Sequence, residues 1–119
     1  MYLGIAQEVV APDLIMVEVA QAIVRRVNTG ETIAAEGRAA LRSWRAILDG
    51  GGIRLLRTLP SQVEAAGDLA IRLGHPVKDC IYLLLAMERD SMLMTCDVKF
   101  AAKARVLYPA IRLLSDYDA

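Results

Sequence analysis

The run IRLLRTL is boxed in, with Gly50, Gly51 and Gly52 before it and Pro60 behind it. Glycines end helices and proline breaks a sheet ladder, so the residues between them have room for one short strand and nothing longer. The same punctuation recurs along the chain. In DLIMVEVAQAIVRRVNTG, apolar side chains at Ile15, Val19, Ala22, Ile23 and Val27 form a helical stripe that closes on Arg25, Arg26, Asn28 and Gly30. Thr32 opens a second helix that runs to about Leu48. Beyond Pro60, Ser61 and Glu64 have the spacing of a capping box and begin a third helix that stops at Gly74. Pro76 suits the first turn of a fourth helix, residues 92–96 read as a short buried strand, 98–106 as a fifth helix and 110–114 as a last strand. Helices alternating with short apolar strands predict an α/β fold, its mostly parallel sheet covered by helices on both faces.

A chain of 119 residues is one domain by length, so a single domain over 1–119 is expected. Basic and acidic residues balance at 14 each, so no global field draws the protein to nucleic acid or to a membrane, and any such binding has to be local. The longest uncharged apolar stretch, residues 80–87, falls far short of the roughly 20 residues of a spanning helix. Residues 1–10 also lack the basic start of a signal peptide, and a cytoplasmic protein with no membrane partner is expected. Cys80 and Cys96 have neither CxxC spacing nor a ligand-spaced histidine, which predicts two buried, reduced thiols.

Three acids stand out against apolar surroundings. Asp79 precedes the run CIYLLLAM, Asp97 follows MLMTC, and Glu18 interrupts LIMVEVAQAIV. A helix from Asp79 to Arg89 rises about 15 Å. A strand from Met92 to Asp97 returns about 16 Å. Asp97 is thereby expected near the level of Asp79, past the carboxyl end of a parallel strand, where open α/β sheets bind ligands. Simpler roles exist for each: Asp79 as a charge on a helix N-terminus, Asp97 as a helix cap, Glu18 as a snorkelling or ion-paired residue. If the three converge, they repel one another at neutral pH unless their pKa values rise or a cation joins them. With no histidine or cysteine expected beside them, hard oxygen donors favour Mg²⁺ or Mn²⁺ over zinc. His75, in the Gly-His-Pro turn, reads as a solvated turn residue. Arg25, Arg26, Arg38, Arg42 and Arg45 read as a solvated basic face with the option of touching RNA phosphates, and Trp44 with Leu48 as core packing or an interface.

Taken together, APDLIMVEVAQAI, GHPVKDCIYLLLA, MLMTCDVKFAAKA and the closing IRLLSDY resemble the PIN-domain family, and in particular the VapC-type toxin ribonucleases of toxin–antitoxin pairs. In that family a Pro-Asp-Leu strand end leads into a helix bearing an acid, matched by Glu18. A helix-opening Asp with an aromatic three positions on is matched by Asp79 and Tyr82, and a strand-ending Thr-x-Asp by Thr95 and Asp97, with Lys99 and Phe100 continuing the pattern. The resemblance implies a PIN-like three-layer fold in which Glu18, Asp79 and Asp97, supported by Thr95, hold Mg²⁺ or Mn²⁺ for hydrolysis of an RNA phosphodiester. It also implies an antitoxin protein as partner and a homodimer. The chain departs from the pattern at its start, because family members open with a strand ending in Asp and this one opens with MYLGIAQEVV. A first strand is therefore expected to be missing, activity to be weak or absent, and residues 1–9 to fill the gap in a neighbouring copy. A non-catalytic PIN-like module for dimerisation or partner binding is the alternative function.

Overall fold

The protein is described by a computed structural model that covers residues 8–117. Residues 1–7, most of the segment expected to fill the gap in a neighbouring copy, lie outside the described residues. Among the described residues five α-helices and four three-residue strands make a mixed α/β fold, which divides into two compact units, residues 8–57 and 58–117.

The first unit runs β1 (Val10–Pro12), α1 (Ile15–Asn28), α2 (Ala34–Asp49) and β2 (Arg54–Leu56). Strands β1 and β2 are parallel, with Val10 opposite Arg54 and Pro12 opposite Leu56. Pro12 has no N–H for the ladder, and the next donor, Asp13 N–H, bonds Leu56 O at 2.9 Å. Helix α1 ends where Gly30 turns left-handed at φ 81°, while Thr29 N–H donates to Arg25 O at 2.9 Å. Arg25 and Arg26 occupy its last turn and complement the carbonyl end of the helix. Trp44 Nε1–H reaches Met16 O at 3.0 Å and ties α2 to the opening of α1. Gly37 is the buried residue of α2, because the Val27 side chain fills the space a Cβ would need.

The second unit runs α3 (Pro60–Leu73), α4 (Val77–Glu88), β3 (Leu93–Thr95), α5 (Val98–Ala104) and β4 (Ile111–Leu113), followed by a 3₁₀ turn, Leu114–Tyr117. Strands β3 and β4 are parallel, Leu93 opposite Ile111 and Thr95 opposite Leu113. Its core is built on Phe100, Leu83, Ile111 and Cys80, with Ala66, Ala101 and Ala104 small enough to let the helices close over them. Tyr108 Oη–H donates to Ser91 O at 2.6 Å and to Ala86 O at 3.3 Å, pinning the turn between α4 and β3.

Several expectations shift. The start of α3 is not capped by Ser61 and Glu64: Pro60 is already helical, and Gln62 Oε1 accepts from Leu59 N–H at 2.8 Å. A proline at the first helical position loses no bond, since that N–H has no intrahelical acceptor, so the helix begins earlier than Ser61 suggested. The strands are shorter than predicted, and β1 forms where the residue pattern predicts no strand. Among the described residues every strand pairing is parallel, as expected, and each unit carries its own two-stranded pair.

Candidate metal centre

Within the second unit, the turn from α3 to α4 and the end of β3 bring three polar side chains together. Gly74 takes φ 62°, ψ 45°, a left-handed conformation that glycine adopts without penalty, and it turns the chain so that His75 N–H donates to Ala70 O at 3.1 Å. Lys103 Nζ donates to Gly74 O at 2.9 Å and fastens the turn to α5. The His75 ring packs on Phe100, centroids 4.8 Å apart and planes tilted by 39°, and its side chain is only 9% exposed. The expected solvated histidine is therefore corrected: Phe100, from the core, covers one face of the ring.

Asp79 stands in the first turn of α4, where unpaired backbone N–H groups and the helix dipole favour a carboxylate. Its Oδ2 lies 2.7 Å from His75 Nε2. Asp97 caps α5: Oδ1 accepts from Phe100 N–H at 2.9 Å, while Asp97 N–H donates to Thr95 Oγ1 at 3.1 Å. With Oδ1 committed to the helix, Oδ2 is the oxygen turned toward His75 Nε2, 3.8 Å away. The cap reading of Asp97 is correct and accounts for one of its two oxygens. Thr95 does the local work of orienting the turn that carries Asp97.

One donor atom from each of His75, Asp79 and Asp97 lies within 4.8 Å of the others. Two ligands bound to one cation at about 2.1 Å each are separated by at most about 4.2 Å, so the three donors fit a single divalent ion after small side-chain rotations. The Asp79 and Asp97 side chains remain 32% and 43% exposed, which leaves water and solutes a way in. The side chains that meet here offer two oxygens and a nitrogen, and the expectation that no histidine stands beside the acids is corrected by His75. Cys80 follows Asp79 but is not a donor here: burial, and secondarily the Asp79 charge, raise its pKa, so the buried thiol stays protonated. Cys96 is exposed, contrary to the prediction of a buried thiol.

Glu18 sits half-buried in the first turn of α1, in the first unit, and is described with that unit. The arginines named above are exposed there, and two of them pair locally, Arg26 with Glu31 at 3.4 Å and Arg45 with Asp49 at 3.2 Å. No helix among the described residues is long and apolar enough to cross a membrane. No protein-family model matches the chain, and neither does any curated protein.

Proposed function

We propose that the chain is a metal-dependent endoribonuclease of the VapC toxin type, built on a PIN-like three-layer fold. The observation that carries this reading is the meeting of Asp79 and Asp97 across the end of a parallel strand, two acids of the motif set that counting along the chain had placed at one level. A cation held there supplies positive charge that activates water and offsets charge developing on a phosphodiester. Asp97 binds through Oδ2 while its Oδ1 stays on the Phe100 N–H, so the carboxylate is oriented before any ion arrives. Asp79 binds from the first turn of α4, and Thr95 holds the approach of Asp97. Glu18 is the third acid in the motif set. A homodimer, an antitoxin partner, cytoplasmic residence and Mg²⁺ or Mn²⁺ as the ion belong to the same reading.

The test is cleavage of a panel of RNAs in Mg²⁺ and in Mn²⁺ by the native chain, Asp79→Asn, Asp97→Asn and Glu18→Gln, with circular dichroism as the fold control. Slow, cation-dependent cleavage that each substitution abolishes is the expected result. Cleavage that survives Asp97→Asn, or no cleavage in either ion both by the native chain and by a chain extended before Met1 with a strand ending in Asp, defeats the proposal.

A second reading, a PIN-like module that acts by binding alone, draws on one observation. Helix α1 buries none of its residues, and Val17 and Val24, two turns apart, are 68% and 43% exposed. Such a stripe suits a partner helix.

A further inference from the structure

The ring of His75 is neither solvated nor part of the motif set, yet it is the least exposed donor of the cluster. Its backbone is held at Ala70 and its ring rests on Phe100, while Nε2 is turned toward both carboxylates. We infer that His75 contributes Nε2 as a ligand beside Asp79 and Asp97, giving a nitrogen–oxygen–oxygen centre that prefers a transition-metal ion such as Mn²⁺ to Mg²⁺. This rests on the reading that the two acids bind a cation, but not on what that cation then does.

Three features carry the argument. First, spacing: Nε2 stands 2.7 Å from one carboxylate oxygen and 3.8 Å from the other, within the range that two ligands of one ion span. Second, chemistry: Mg²⁺ sheds water reluctantly and takes oxygen ligands, whereas the first-row transition ions accept imidazole nitrogen, Mn²⁺ the least strongly of them but still more readily than Mg²⁺. Third, preorganisation: a ring already buried and fixed by packing loses little freedom on binding, and an exposed histidine would lose more. In the free protein Nε2 and Asp79 Oδ2 stand 2.7 Å apart, at hydrogen-bond distance. A ligating Nε2 gives its lone pair to the ion, so any hydrogen of the ring has to sit on Nδ1.

The experiment uses the full chain without RNA. Mn²⁺ and Mg²⁺ are titrated calorimetrically, and the Mn²⁺ form is examined by pulsed electron paramagnetic resonance for coupling to nitrogen. The native chain is expected to bind Mn²⁺ more tightly than Mg²⁺ and to show imidazole coupling. His75→Gln keeps an amide that can hydrogen-bond Asp79 but removes the imidazole; it should lose the coupling and most of the preference, with Mg²⁺ affinity falling less than Mn²⁺ affinity. Absent coupling in the native protein overturns the inference even if the variant fails to fold. An unchanged Mn²⁺/Mg²⁺ ratio in a folded variant, or no Mn²⁺ binding at all, does the same. A chain that shows coupling and preference but cleaves no RNA, as it stands or extended before Met1, upholds the inference and sinks the ribonuclease reading alone.

Discussion

Asp97 serves α5 with one oxygen and the cluster with the other, and substitutions separate these roles. Asn keeps an oxygen for the Phe100 N–H and removes the charge, whereas Ala removes both. Asp97→Ala is therefore expected to cost about 1 kcal/mol in chemical denaturation, the ordinary effect of losing a helix cap, with Asp97→Asn costing less than half of that. Mn²⁺ should raise the melting temperature of the native protein and of neither variant. Equal stability of Asn and Ala variants would show that the cap contributes nothing. The two thiols give a second check at this scale. Exposed Cys96 should react with a maleimide in the folded protein, and buried Cys80 only once the chain unfolds, as mass spectrometry of the labelled chain would show. Tyr108 offers a third: Tyr108→Phe removes the donor to Ser91 O and should cost about 1 kcal/mol.

At the scale of elements, α1 and α2 approach through the contact of Gly37 with Val27. An alanine at 37 gains about 1 kcal/mol of helix propensity, but it meets a β-branched side chain whose rotamer is restricted within a helix. Overpacking of this kind costs about 1–3 kcal/mol. The clash wins, so Gly37→Ala should lower the melting temperature and Gly37→Ala with Val27→Ala should recover part of the loss; a more stable single variant would mean that the helices slide apart freely. The starts and stops of the helices were partly legible. Gly30 and Gly74 were read as stops and are left-handed in the structure. The capping box was misplaced by two residues, since Ser61 and Glu64 fit the pattern by residue type while Gln62, which makes the bond, fits it by position after Pro60. Three-residue strands such as β1 carry too few positions for a period of two to show.

For the whole molecule, both readings predict a homodimer at micromolar concentration, and the second places its contact on the exposed Val17 and Val24 of α1. Val17→Glu places a charge on that stripe and should shift the species seen by light scattering from dimer to monomer without changing the circular dichroism spectrum. A native chain that is a monodisperse monomer would remove the dimer from the proposal.

Local chemistry and simple counting were enough for part of this protein. Helix-forming stripes, glycine stops and the return of a strand beside the helix before it depend on neighbours in the chain, so the five helices and the shared level of Asp79 and Asp97 could be read from residue order. The parallel partners of the strands, the shelter of Cys80 and the place of His75 could not. His75 lies four residues before Asp79, a spacing that brings side chains together only if the turn at Gly74 and Pro76 directs the ring inward, and the ring stays there because Phe100, 25 positions later in sequence, packs against it. Burial of that kind is set by contacts between segments far apart in the chain, and only the tertiary structure supplies them.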